Sequence, residues 1–111
     1  MHAKRCASSC LLLSLGNQTH PVIVSNDGAN TTARRLGRGV VTVVPVTSNI
    51  ERIYPFQVLL EAAATGMQRD SKAQAEQVRS VAVERIGTRV AVVPPSVMAQ
   101  LDEALRLHLS L

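Results

Sequence analysis

The stretch from Gly39 to Asn49, Gly-Val-Val-Thr-Val-Val-Pro-Val-Thr-Ser-Asn, constrains the fold of this chain more than any other. Val40, Val41, Val43 and Val44 form a β-branched run of the kind that suits a strand buried on both faces. Pro45 has no N–H to give to a ladder, so regular pairing stops or changes partner there. Thr47, Ser48 and Asn49 follow at the strand's end, where a rigid sheet can present polar groups to a ligand. Taken alone, the same residues also fit an ordinary polar turn.

The rest of the chain is organised around that strand. Pro21 to Ser25 is a second short apolar run, closed by the turn signal Asn26-Asp27-Gly28. A basic loop carrying Arg34, Arg35 and Arg38 leads into Gly39. From Ile53 to Glu61, Tyr54, Phe56, Val58 and Leu60 alternate with Pro55, Gln57 and Leu59, which predicts a strand with an edge or bulge near Pro55. Residues 72–81 carry helix-forming types but also alternate in period two, and we assign them to strand. Pro94-Pro95 ends one more β-branched run. Ser96 is a candidate N-cap for a helix near 96–109, with Val97, Met98, Leu101, Ala104, Leu105 and Leu109 on one apolar stripe.

A chain of 111 residues suits one domain with a modest core. With one Tyr, one Phe and no Trp, that core rests on Val, Leu, Ile and Ala. The same scarcity argues against a single-strand binder built on many stacking platforms. The net charge of +4 suits a polyanionic partner. Cys6 and Cys10 have no His or Cys pair elsewhere to complete a zinc pattern. No metal or other cofactor is expected. The apolar Leu11–Leu15 is short for a signal-peptide core, and no apolar run reaches the ~18 residues a membrane span requires. A cytoplasmic protein with no membrane partner is the expectation.

Several segments, in order, resemble the MazF/PemK (Kid) family of toxin endoribonucleases: Pro21–Asp27, Val43–Ser48, Tyr54–Val58, Arg69–Ser80 around Glu76-Gln77, and Leu101–Leu105. The resemblance implies an α+β fold: a small antiparallel, barrel-like sheet of the MazF/CcdB type, with short helices and a C-terminal helix. It sets residues 17–111 as the family domain and 1–16 as a divergent segment, since the family's opening strand and loop have no match there. Residues 1–9 are expected to be poorly ordered, with Leu11–Leu15 standing in for the missing strand at an otherwise open sheet edge.

The resemblance further implies metal-independent, sequence-specific cleavage of single-stranded RNA by attack of its own 2′-hydroxyl. It implies a homodimer, a MazE-like antitoxin with an acidic tail, and operator DNA reached through the antitoxin complex. Thr47 matches the family's central-strand threonine, and Glu76 with Gln77 matches its acidic-Gln pair. His20 stands where the family has an arginine, so a group that changes charge near neutral pH replaces a permanent cation. Thr47, His20 and Glu76 are therefore the catalytic candidates, and Asn26, Ser48, Asn49, Gln77, Arg34 and Arg35 the RNA-binding candidates. His20 and the missing strand also leave open a weakened or inactive relative that only binds antitoxin, RNA or operator DNA.

Overall fold

A computed structural model describes residues 10–13, 20–25, 35–86 and 89–111. Residues 1–9 and the candidates Asn26 and Arg34 lie outside them. Five strands form one antiparallel sheet: β1 (Cys10–Leu13), β2 (Val22–Ile23), β3 (Val40–Val44), β7 (Arg79–Ala82) and β8 (Arg89–Val93), in the order β7-β3-β2-β1-β8. β4 (Val46–Thr47), β5 (Gln57–Leu60) and β6 (Ser71–Gln74) form a second, in the order β4-β6-β5. A short helix, α1 (Ala62–Thr65), follows β5, and the C-terminal helix α2 (Pro95–Leu109) follows β8.

Pro45 makes the chain change sheets. Val43 and Val44 pair with Ile23 and Val22 in the first sheet, and Val46 and Thr47 pair with Ala73 and Lys72 in the second. The proline cannot donate, but its carbonyl accepts the Gln74 N–H at 2.9 Å, which ties the crossing point to β6. Residues 72–81 cross between the sheets as well. They are not one strand: a 3-10 turn at Ala75–Gln77 separates β6 from β7. The helix propensity of this segment is spent on that single turn, and pairing on either side sets the rest.

β1 lies inside the first sheet, with Leu12 opposite Val22 and Cys10–Leu12 opposite Ala91–Val93. Part of the segment set apart as divergent thus supplies a central strand. β5 begins only at Gln57, because Pro55 and Phe56 form a turn in which the Gln57 N–H donates to the Tyr54 carbonyl at 2.9 Å. Gln57 is also buried, at 8% exposure.

The main core lies between the two sheets and α2: Val22, Val44, Val46, Leu60, Val93 and Leu101 are among its most enclosed members. Ile23, Val41, Val43, Val81 and Val83 form a smaller cluster on the other face of the first sheet, as the strand alternation requires. The helix is capped two residues earlier than the serine signal suggests. Pro94 is its N-cap and Pro95 its first residue, with proline's fixed φ already suited to that position. Ser96 therefore lies within the first turn. Leu109, at the far end of the expected stripe, is half exposed. After α1, Gly66 adopts φ +84° and its N–H closes the helix on the Ala62 carbonyl at 2.8 Å.

Candidate active site

Thr47 is the last residue of β4 and sits directly opposite Lys72 of β6. Its Oγ1 accepts the Asn49 N–H at 3.3 Å, and the Asn49 Oδ1 accepts the Glu51 N–H at 3.3 Å. These two local bonds shape the exposed turn that carries Ser48 and Asn49. Because Thr47 Oγ1 accepts from the backbone, its own O–H remains a donor for a ligand.

His20 and Glu76 converge on the same region. β2 runs antiparallel to β3 with Val22 opposite Val44, so the residues before β2 and those after β3 leave the sheet at one end. His20 is half-buried there, and its Nδ1 is enclosed with no hydrogen-bond partner among the described residues. Glu76 lies in the 3-10 turn that starts beside Pro45. Its Oε2 accepts a 2.6 Å bond from Gln57 Nε2, and its Oε1 is buried with no partner among the described residues. A carboxylate held by one oxygen and bare at the other has lone pairs for a proton or a base amino group. Orphaned buried polar atoms are rare enough to point to chemistry.

Gln57 is a supporting residue that sequence reading missed. Its amide bridges Glu76 and the Tyr54 N–H, the latter at 3.1 Å. Its one sequence signal was a polar residue inside an apolar alternation, and its partner is far along the chain. Gln57→Leu should therefore destabilise the fold by about 1–3 kcal/mol, since it strands both a buried carboxylate oxygen and a backbone donor. Urea unfolding of the two proteins measures this; an unchanged midpoint would show that the bridge carries no net stability.

A groove of about 360 Å³ is lined by Asn49, Glu51, Arg52, Tyr54 and Lys72, and Lys72 is the residue paired opposite Thr47. The two aromatics are stacked, with centroids 5.5 Å apart and an interplanar angle of 6°, and the Arg52 guanidinium lies 5.9 Å from the Tyr54 ring. Of the expected RNA-binding residues, Ser48 and Asn49 flank Thr47 and Gln77 is exposed next to Glu76. Arg35 is exposed in a helical turn ahead of β3, with the length of that strand between it and β4. Among the described residues no group of three His, Cys, Asp or Glu is placed to hold a metal ion.

Over 95 residues, covering 86% of this chain and 80% of the relative, the sequence is 64% identical to endoribonuclease MazF9 of Mycobacterium tuberculosis (strain ATCC 25618 / H37Rv). The fold matches the M. tuberculosis toxin MazF-mt6 with a TM-score of 0.74 at 19% identity, covering 93% of this chain and 97% of that one. It also matches a MazE-MazF crystal structure from Deinococcus radiodurans with a TM-score of 0.73 at 25% identity, covering 93% and 95%. A family model for the PemK-like, MazF-like toxins of type II toxin–antitoxin systems matches residues 14–109, and with nearly the whole chain inside that match, it is to this toxin family that the protein belongs.

Proposed function

We propose that this chain is a sequence-specific endoribonuclease that cuts single-stranded messenger RNA in the cytoplasm, with Thr47, His20 and Glu76 as its catalytic groups. The observation that supports this reading most is the Glu76 carboxylate, fixed through Gln57 yet bare at a buried Oε1, on the turn tied to the strand crossing before Thr47. In the step these groups fit, a base takes the proton of the RNA 2′-hydroxyl as its oxygen bonds to the adjacent phosphorus. The bond from phosphorus to the 5′-oxygen then breaks, and that oxygen gains a proton. The products are a 2′,3′-cyclic phosphate and a 5′-hydroxyl. Glu76 suits the base or base-recognition role, the Thr47 hydroxyl can donate to a phosphate oxygen, and a protonated His20 can stabilise the phosphorane or serve the leaving oxygen. Ser48, Asn49 and Gln77 are the exposed contacts for flanking nucleotides, with Asn26, Arg34 and Arg35 as further phosphate or base contacts.

The 64% identity to a protein named an endoribonuclease gives the weakened-enzyme alternative no support. The direct test incubates the purified chain with total RNA in EDTA and maps the new ends. Cyclic phosphate and 5′-hydroxyl termini at a shared short sequence are expected; intact RNA overturns the reading. No helix among the described residues is long and apolar enough to cross a membrane.

For partners, we propose a MazE-like antitoxin whose acidic tail covers this groove, operator DNA through that complex, and a homodimer. The small second cluster on the outer face of the first sheet is a thin core for one chain and gains from a further buried interface. Light scattering at roughly tens of micromolar should give twice the monomer mass, because a micromolar dissociation constant makes the dimer dominant there. A stable monomer would remove the dimer.

A further inference from the structure

Lys72 is only 8% exposed, in the middle of the second sheet. Lysine is rarely enclosed to this degree without a counter-charge, because a buried ammonium loses its hydration. Its Nζ donates to the Arg52 carbonyl at 2.6 Å. That carbonyl satisfies one of three donors and leaves the charge uncompensated. On α2 an ion pair joins Arg106 to Glu103, and no carboxylate among the described residues lies within ion-pair distance of Lys72. Glu51 lines the same groove without pairing with it.

Two further facts fix where this charge faces. Residues directly opposite on neighbouring strands share a sheet face, and Lys72 is opposite Thr47. Lys72 also lines the polar groove, together with Asn49 and Tyr54. A buried, uncompensated cation next to a donor hydroxyl, open to a polar groove, is built to receive an anion. Folding has already stripped its water, so an arriving phosphate meets a preorganised charge in a low dielectric, where the attraction exceeds that of any exposed arginine.

We propose that Lys72 is a catalytic residue of the nuclease described above. On that reading, its ammonium contacts one non-bridging oxygen of the scissile phosphate and holds the charge that builds in the phosphorane, while the Thr47 hydroxyl contacts the other.

The test uses the full chain, an RNA oligonucleotide that it cuts, and the same oligonucleotide with a 2′-deoxy sugar at the cut site. Lys72→Gln keeps an N–H donor for the Arg52 carbonyl and removes the charge; Lys72→Met removes both. We expect both variants to lose about tenfold or more in kcat. We also expect the slope of log affinity for the 2′-deoxy oligonucleotide against log salt to become shallower by about 0.7, the value for one lost phosphate contact on a single strand. A merely structural lysine moves the melting temperature and leaves that slope unchanged. Lys72→Gln with wild-type kcat, or with a wild-type salt slope, overturns the proposal while leaving the nuclease reading intact. Wild-type protein that binds the oligonucleotide without cutting it leaves the salt slope to decide. Wild-type protein that neither cuts nor binds RNA sinks the nuclease reading, and this proposal with it.

Discussion

Thr47→Val should lower kcat for RNA cleavage by about 10²–10³-fold while leaving the fold in place. Removing one donor aimed at developing negative charge typically costs that much, equivalent to about 2.7–4 kcal/mol of transition-state stabilisation. Valine keeps the β-branched shape that β4 requires beside Val46. The only described bond lost is the 3.3 Å contact from the Asn49 N–H, on a turn already open to solvent. Stability should thus fall by no more than about 1 kcal/mol. Thr47→Ser keeps the hydroxyl and should retain most of the activity. Single-turnover cleavage beside thermal unfolding separates the effects. Equal kcat in Thr47→Val and the parent would reduce Thr47 to a turn residue that ends a strand.

Thr47 was legible in sequence because strand and turn chemistry both mark it: a β-branched run, then proline, then hydroxyl and amide groups. β3 was legible for the same reason, since burial of Val41, Val43 and Val44 writes a continuous apolar run. Residues 72–81 were harder. The alternation reported pairing correctly, but the change of sheet at Ala75–Gln77 is set by tertiary bonds to Pro45 and Phe56, which no local pattern encodes. The start of α2 was displaced because a serine after two prolines looks like a cap, whereas proline geometry already serves the first helical turn.

The supporting parts of the site were hidden by distance. Gln57 and Glu76 are 19 residues apart, and only the fold makes them partners. Alternation gave no role to Gln57 because period two speaks of faces and says nothing of a carboxylate waiting on one of them. No local pattern separates Lys72 from the chain's other basic residues, with which it forms at most a patch that could track phosphates. Its burial between β4 and β5 is a property of the sheet, with Thr47 on one side and Leu59 on the other.

His20→Arg should raise the cleavage rate by one to two orders of magnitude, or about 1.4–2.7 kcal/mol in the barrier. The residue stands at the end of the sheet where Thr47 emerges, and its Nδ1 is buried without a described partner. A guanidinium is a fixed cation with a planar fork of donors for phosphate oxygens, so His20→Arg should lift the rate if this position faces the phosphorane. Lys72 sharpens the expectation. Two cations serving one phosphorane are not independent, so their effects should not add. With Lys72 in place, part of the charge is already supplied and the gain from arginine should sit near the lower end of the range. In a Lys72→Gln background the same change should gain more, because the arginine then replaces a missing charge. An equal gain in both backgrounds would mean that the two residues act on different groups. A rate unchanged or lowered by His20→Arg would mean that His20 does not occupy the arginine's place, and that its buried nitrogen serves the leaving oxygen or the fold instead.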